Sequence, residues 1–230
     1  MRAVSLLSSG LDSSLALALT LEAGHSIAFA LTYDYGQRAA AREIESARRI
    51  AMHFGVPHRV LSLPFFRDLK GGSLLSAAQP IPQPSLGDLD SHAASLASAK
   101  AVWVPNRNGI FIEVAAAFAE SEHAESLLVG FNLEEAQTFP DNSSAYREAV
   151  TRSLSFSTSN AVRVFSPTES LTKREIMREA VRLAFPLNLI WSCYEAGPRM
   201  CGVCESCMRM KRAAKANEVN CDELFANSTL

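Results

Sequence analysis

The first 62 residues alternate between short apolar runs and longer stretches with helical spacing. Ala3–Leu7 is an apolar run, and the mainly apolar stretch after it ends at Gly24. Ser26–Tyr33 is a second apolar run, and Ala39–Phe54 repeats Ala, Ile and Met at three- and four-residue spacing between Arg and Glu. The segment "GVPHRVLSL" ends in a third apolar run. This strand–helix–strand–helix–strand order with short links favours a parallel sheet.

The regular pattern stops between Leu63 and Val104. The stretches "KGGS" and "QPIPQPSLGD" contain too much Gly and Pro for regular elements, so we interpret residues 63–104 as a long excursion, of the kind that forms lids. Beyond it we predict a helix from about Gly109 to Glu122, a strand at "SLLVG" and a helix from near Ser144. A strand at "VRVFSP" and a helix within "SLTKREIMREAVRLA" complete the series.

These elements predict an α/β fold, a Rossmann-like five-stranded parallel sheet with helices on both faces. We assign residues 1–190 to this domain, with the excursion as part of it. Residues 191–230 form a separate small module, because all five cysteines fall there. With 230 residues, of which 48% are hydrophobic, the chain is long enough for one sizeable core and too short for two large domains.

Charge and cysteine usage narrow the class of protein. The 22 basic and 24 acidic residues give a net charge of −2, which does not favour binding to nucleic acid or an anionic membrane. No apolar run approaches the ~20 residues that span a bilayer. The opening segment imitates an export signal, but Asp12 places a charge in its apolar part. An odd number of cysteines indicates reduced thiols. We expect a cytoplasmic homodimer.

The stretch "SSGLDS", Ser8 to Ser13, lies where the first strand meets the first helix. Backbone N–H groups at such a junction bind anions. Gly10 permits close backbone approach, Ser8 and Ser13 offer hydroxyls, and Asp12 can hold magnesium. The lysine-bearing P-loop and the "GxGxxG" pattern are both absent. Either this loop binds phosphate, or it is an ordinary turn in which Asp12 or Ser13 caps the helix.

Four cysteines have the spacing C-x7-C-x2-C-x2-C, which is typical of a metal site: Cys193, Cys201, Cys204 and Cys207. Four thiolates complete a tetrahedron around zinc and leave no open position, so such an ion would be structural. Nearby basic residues would offset the cluster's negative charge: Arg199, Arg209, Lys211 and Arg212. An iron–sulfur cluster, disulfides and inert thiols are the alternatives. Cys221 lies outside the pattern and is expected to be a buried small residue, and the five histidines show no ligand spacing.

The loop Ser8–Ser13 resembles the "SGGxDS" loop of the ATP pyrophosphatases, also called PP-loop ATPases. Together with the four cysteines, it resembles the 7-cyano-7-deazaguanine synthase family. The likeness extends in order through "YDYGQR", "VPNRN", "GFN" with "FPDN", and "LTKREI", and so covers nearly the whole chain. It implies a fold like that of the adenine nucleotide α-hydrolases. It also implies a ligase that uses ATP, ammonia, magnesium and zinc to convert 7-carboxy-7-deazaguanine to the nitrile preQ0 in queuosine and archaeosine biosynthesis.

The resemblance also implies roles for individual residues. Asp12 would be the magnesium partner, with Ser13 and Lys173 the other catalytic residues, although Lys173 could instead be a solvated lysine of the first helical turn. Asp141 would bind the deazaguanine edge or, alternatively, cap the helix near Ser144. The residues expected to bind ATP are Leu7, Ser8, Ser9, Gly10, Leu11, Asp12, Ser13, Ser14 and Leu15. The residues expected to bind substrate are Gln37, Arg38, Arg107, Asn108 and Asp141, for which surface or capping roles compete.

The chain departs from the family pattern at two places. Ser9 stands where the family loop has a second glycine, which is awkward for a side chain if the residue needs a positive φ. The segment after "GFN" differs from the usual Tyr-Pro-Asp-Cys-Arg at Phe139, Asn142 and Ser143. The motif therefore does not determine which residues contact the deazaguanine base. Two alternatives therefore remain. One is a PP-loop enzyme that adenylates another carboxylate or a tRNA base, and the other is a zinc-stapled nucleotide-binding protein without turnover.

Overall fold

The computed structural model describes residues 1–69 and 71–228. Its sheet has five strands, all parallel, in the order β3-β2-β1-β4-β5. The expected five-stranded parallel sheet is therefore confirmed. Its strands are β1 (Arg2–Leu6), β2 (Ser26–Asp34), β3 (His58–Ser62), β4 (Ser126–Leu128) and β5 (Arg163–Phe165).

Seven α-helices accompany these strands in the described residues. Crossovers between parallel strands are right-handed. Because the strand order runs in opposite directions on the two sides of β1, right-handed crossovers place helices on both faces of the sheet. Accordingly, the first helix packs against the sixth, and the fourth packs against the fifth. The helices are α1 (Leu11–Glu22), α2 (Ala40–His53), α3 (His92–Val102), α4 (Arg107–Ser121), α5 (Ser144–Ser157), α6 (Lys173–Arg182) and α7 (Glu205–Ala216).

The excursion at 63–104 is more regular than the sequence predicts. It contains two short 3₁₀ helices, Pro64–Asp68 and Gly87–Asp90, and the three-turn helix α3. The prediction that regular structure resumes only near Gly109 is wrong, because "HAASLASAKAV" mixes Ala and Ser without a pronounced apolar face that would reveal a helix. Helix α4 also begins two residues before the predicted start, after Asn106 in a left-handed conformation.

The C-terminal residues pack onto the α/β core. Helix α7 lies against α6, and Met210, Ala213 and Phe225 belong to the same buried cluster as the sheet. Gly24 follows α1 with a φ of +75°, as expected of a glycine that ends a helix. In the part of the chain that the structure describes, no helix combines the length and the apolar character needed to cross a membrane.

The strand order places a crevice between β1 and β4. The chain turns from β1 to β2 on one side, whereas β4 lies on the other side of β1. In open parallel sheets, ligands bind at the carboxyl ends of the strands where the order reverses. The loop Ser8–Ser13 follows β1, and Gly130 follows β4, so both lie at this crevice.

Candidate active site

A large cavity opens at the carboxyl ends of β1, β2 and β4. Its wall brings together residues that are far apart in the sequence. They come from the loop Ser8–Ser13, called the phosphate loop below, from the start of α4, the segment after β4, α6 and the C-terminal tail. The residues of the predicted sites that line it are Leu7, Ser8, Gly10, Leu11, Asp12, Ser13, Gln37, Arg107, Asn108, Asp141 and Lys173. The cavity wall does not include Ser9, Ser14, Leu15 or Arg38.

The phosphate loop leaves the start of α1 available to an anion. Gly10 is the N-cap in an extended conformation, and no side chain caps the helix from that position, so the alternative in which Asp12 or Ser13 is the cap is wrong. The Ser13 hydroxyl instead accepts the Ser8 N–H at 3.2 Å and lies 3.0 Å from the Ser8 hydroxyl. The first-turn N–H groups of a helix have no carbonyl partner within it, which favours anion binding.

Ser9 has the left-handed backbone conformation that glycine adopts most readily. Its φ is +63°, and its side chain is fully buried. The left-handed region costs a non-glycine residue roughly 1–2 kcal/mol. Ser9 offsets part of this cost through its hydroxyl, which donates to the Trp191 carbonyl at 3.3 Å.

Gly130 explains why the "GFN" segment approaches the phosphate loop so closely. A Cβ at this position would lie 2.4 Å from the Ser13 nitrogen and 2.8 Å from the Asp12 carbonyl carbon. Real Cβ atoms do not approach backbone atoms this closely. A residue without a side chain is therefore required where the end of β4 meets the start of α1.

Lys173 lies inside the cavity rather than on the surface. Only 7% of the residue is exposed, so the alternative of a solvated lysine is wrong. Its ammonium group contacts Asp12 Oδ2 and lies 3.4 Å from Glu135 Oε1. Its backbone N–H donates to Glu134 Oε1 at 2.9 Å. Burial by itself would lower the pKa of Lys173, but Asp12 and Glu135 raise it to about 12, so the lysine is a cation at neutral pH.

Asp12 lies among more negative charge than Lys173 balances. Burial raises the pKa of Asp12 to about 6, Lys173 opposes this change, and Glu135 and Glu134 add to it. The other carboxylate oxygen, Oδ1, is buried and has no hydrogen-bond partner in the described residues. Magnesium prefers oxygen ligands of this kind. An orphaned carboxylate oxygen within an acidic group therefore fits a divalent cation next to bound phosphates.

Arg107 and Asp141 both line another part of the cavity and interact electrostatically. Arg107 Nη1 lies 3.4 Å from the Tyr35 hydroxyl. Burial raises the pKa of Asp141, and the charge of Arg107 counteracts this effect. Asn108 Nδ2 donates to the Asp141 carbonyl at 3.5 Å. Asp141 does not cap α5, because the N-cap is Ser143, whose hydroxyl accepts the Tyr146 N–H at 3.1 Å.

The residues that depart from the family motif have local roles. Asn142 is buried, and its Nδ2 lies 3.4 Å from Asp141 Oδ1. Phe139 lines the cavity opposite Trp103, with ring planes only 9° apart and centroids separated by 6.2 Å. Two nearly parallel aromatic faces close to a carboxylate form a suitable surface for a flat, hydrogen-bonding ring.

Gln37 and Arg38 have different surroundings although they are adjacent. Gln37 Nε2 donates to the Tyr33 carbonyl at 3.0 Å and to Glu43 Oε2 at 2.8 Å, and its Oε1 accepts the Tyr35 N–H. These bonds orient Glu43, which lines the cavity and whose pKa burial raises to about 7. The side chain of Arg38 instead forms an ion pair with Glu195 at 2.7 Å, outside the cavity wall.

The four predicted cysteines converge on one point. Their Sγ atoms all lie within 4.8 Å of one another, and those of Cys201 and Cys207 are 3.9 Å apart. Tetrahedral zinc with Zn–S bonds of about 2.3 Å requires sulfur separations of about 3.8 Å, so this set fits zinc. All five cysteines are free thiols, which excludes the disulfide alternative for this structure, and Cys221 is buried as expected.

Two basic residues of α7, Arg209 and Arg212, do not serve the cysteine cluster as predicted, whereas Lys211 interacts electrostatically with Cys207 and Cys201 as expected. Arg209 pairs with Glu205 at 2.7 Å and Glu134 at 3.3 Å, and Arg212 pairs with Asp90 at 2.7 Å. Carboxylates are stronger partners for guanidinium groups than a shared thiolate charge, because they accept directed hydrogen bonds. Arg209 thus faces the active-site cavity, which sequence reasoning missed.

The fold and the site together define an ATP-using α/β enzyme of the PP-loop class. The family model described as "Queuosine biosynthesis protein QueC" matches residues 2–218, and the chain belongs to this family. It is 47% identical to the 7-cyano-7-deazaguanine synthase of Bdellovibrio bacteriovorus over 97% of both chains. It is 48% identical to the enzyme of that name from Carboxydothermus hydrogenoformans, over 94% of this chain and 99% of the other. The family resemblance that the motifs predict is confirmed.

Among solved structures, the NMN synthetase of Francisella tularensis is similar, with a TM-score of 0.47 and 14% sequence identity. The match covers 95% of this chain and 77% of that one. At this distance, nothing about substrate or mechanism follows from it.

Proposed function

We propose that this chain is a ligase that converts 7-carboxy-7-deazaguanine and ammonia to 7-cyano-7-deazaguanine at the expense of ATP. The names of its relatives and its family support this assignment. The observation that supports it best is one cavity lined by the start of α1, a buried lysine and both Arg107 and Asp141. Such a cavity can hold a triphosphate and a planar carboxylate side by side.

The first half of the proposed reaction activates the carboxylate. A carboxylate oxygen attacks the α-phosphorus of ATP, and pyrophosphate leaves to the phosphate loop. Two anions must be held together for this step, which requires fixed donors and cations at the site. Lys173, held between Asp12 and Glu135, is the cation that we assign to the α-phosphate. Ammonia then displaces AMP and loses a proton, which gives the amide.

The second half uses the same groups again. The amide oxygen attacks the α-phosphorus of a second ATP, and pyrophosphate leaves. The C–O bond to AMP then breaks as the nitrogen loses its remaining protons, which gives the nitrile. Magnesium, when bound, would neutralise phosphate charge, and Asp12 would hold it through the oxygen Oδ1 that lacks a partner.

We assign recognition of the deazaguanine ring to the side of the cavity that Arg107 and Asp141 line. Asp141 would accept hydrogen bonds from the ring N1–H and amino group, because an ionised carboxylate only accepts. Arg107 would bind the reacting carboxylate, and Asn108 the ribose. The parallel faces of Trp103 and Phe139 would pack against the ring. Gln37 would act by orienting Glu43 in the cavity wall.

We also propose one structural zinc per chain, bound by the four cysteines of a module at 191–230, and a homodimer in the cytoplasm. Closed zinc sites stabilise the fold and take no part in the chemistry. Metal analysis and sedimentation of the purified protein would test the zinc content and the oligomeric state.

The test of the function is mass spectrometry of the products. The chain, ATP, magnesium, ammonium and 7-carboxy-7-deazaguanine should yield the nitrile, and Asp12→Ala should abolish it while the far-UV circular dichroism spectrum stays unchanged. AMP release is measured with the carboxylate, with tRNA and with neither. Release stimulated only by tRNA would favour an enzyme that modifies a tRNA base. ATP binding without release of pyrophosphate would identify a silent nucleotide-binding protein.

A further inference from the structure

Two residues, Trp191 and Ser192, connect the phosphate loop to the cysteine cluster. The Trp191 N–H donates to the Ser9 carbonyl at 3.0 Å, and the Ser9 hydroxyl donates to the Trp191 carbonyl at 3.3 Å. The Ser192 hydroxyl accepts the N–H of Leu11, the first residue of α1, at 3.3 Å. Both residues also line the cavity.

On its other side, this segment is held by the cysteine cluster. Cys193, the first residue of the cluster, follows Ser192 directly, and its Sγ accepts the backbone N–H of Cys201 at 3.2 Å. The Ser192 N–H lies 3.3 Å from the sulfur of Met200, which precedes Cys201. The position of the Ser192 hydroxyl therefore depends on how the cysteine loop is folded.

The phosphate loop needs this support because Ser9 occupies a costly conformation. A serine at a φ of +63° gains stability from external contacts that a glycine would not need. Its hydroxyl and carbonyl both make such contacts with Trp191. The strained residue and the residue that holds it are thus adjacent in space although they are 182 positions apart.

Helix α7 makes a second connection from the cluster to the site. Its N-cap is Cys204, and it contains Cys207. Arg209, on the next half-turn, lies 3.3 Å from Glu134 Oε2, and the other oxygen of Glu134 accepts the Lys173 N–H at 2.9 Å. The cysteine cluster is therefore linked both to the phosphate loop and to the buried lysine.

We propose that the segment Trp191–Ser192 positions the phosphate loop for ATP, so that metal occupancy of the four cysteines sets the affinity for ATP. Ser192 and Ser9 are positioning residues in this scheme, since each acts on the backbone of the loop. The inference rests on the proposed function only in assigning that loop to ATP. Loss of the metal would release Cys193 and, with it, the hydroxyl that holds the start of α1.

The test is calorimetric titration of the zinc-loaded full chain with magnesium ATP. Ser192→Ala should weaken ATP binding about threefold to tenfold, the amount expected for one hydrogen bond. Ser192→Thr, which keeps the hydroxyl, should restore it. The affinity for 7-carboxy-7-deazaguanine and the zinc content should stay unchanged, and the melting temperature should fall by no more than the loss of one hydrogen bond explains, which separates positioning from a general loss of structure. Ser155→Ala is the matched control, because this exposed serine donates to the Arg152 carbonyl of its own helix and makes no hydrogen bond to another element within residues 1–69 and 71–228.

Removal of zinc by a chelator provides the second arm. The wild-type chain should lose more ATP affinity on chelation than Ser192→Ala does, since the variant has already lost the hydrogen bond from Leu11 to the Ser192 hydroxyl. If the chelated chain unfolds, the inference is tested only by comparing the ATP affinities of the zinc-loaded wild type and the zinc-loaded Ser192→Ala variant. Equal ATP affinity in wild type and Ser192→Ala would overturn the inference, and so would equal losses on chelation. A wild-type chain that binds no ATP would instead overturn the proposed function.

Discussion

Gly130→Ala tests the contact between β4 and the phosphate loop. The added Cβ would lie 2.4 Å from the Ser13 nitrogen, whereas ordinary contact begins at 3.4 Å, so the start of α1 would have to move by about 1 Å. The φ of Gly130 lies outside the left-handed region, so alanine fits the backbone itself. Overpacking of this kind costs about 1–3 kcal/mol of folding free energy. A displacement of about 1 Å at a catalytic group lowers the rate about 100-fold.

The assay is kcat/KM for nitrile formation, together with calorimetric ATP affinity and the urea midpoint. We expect kcat/KM to fall about 100-fold and ATP binding to weaken, in a chain that still folds. Gly87→Ala is the control, because among the described residues its added Cβ would come within 4 Å only of the Ser85 hydroxyl oxygen, at 3.9 Å, and it should behave as wild type. Wild-type kinetics in Gly130→Ala would show that the position of the loop does not limit the reaction.

Three further predictions concern buried groups. Lys173→Met should lower kcat at least about 100-fold. It should also lower the melting temperature, because Asp12 is left as an unpaired buried charge. Adding Asp12→Asn to this variant should restore the stability but not the rate. Cys204→Ser should lose zinc and stability together, as metal analysis and thermal melting would show, and full zinc retention would contradict the four-cysteine site. The pKa of Glu43 is raised from 4.5 to about 7, so its ionisation opposes folding and stability should fall as the pH rises between these values. Glu43→Gln should remove this part of the slope in urea midpoints between pH 4.5 and 7, and an unchanged slope would refute the assignment.

The sheet was predictable because its strands are short apolar runs bounded by turn residues and joined by longer stretches of helical length. Ser26–Tyr33 and the observed strand Ser26–Asp34 differ by one residue. Helix α3 escaped prediction because alternating Ala and Ser give little apolar periodicity. Its role depends on tertiary contacts, such as the hydrogen bond from Ser98 to the buried Glu205, which no local pattern reveals.

The candidate site, like the fold, was only partly predictable from the sequence. The loop Ser8–Ser13 and the four cysteines were identifiable because the chemistry requires fixed residue types at fixed spacing. Glu135 and Ser192 were not identifiable, because each becomes part of the site only through a contact with a residue more than 30 positions away. Tertiary structure, rather than local pattern, therefore supplies the groups that position Lys173 and the phosphate loop.

The central claim is that ATP activates a carboxylate bound in the same cavity. The most direct measurement follows ¹⁸O from the labelled carboxylate of 7-carboxy-7-deazaguanine by mass spectrometry of AMP. Each nitrile should appear with two molecules of AMP, each carrying one labelled oxygen, because both oxygens leave on an α-phosphorus. Unlabelled AMP, or label found in water or inorganic phosphate, would contradict the account.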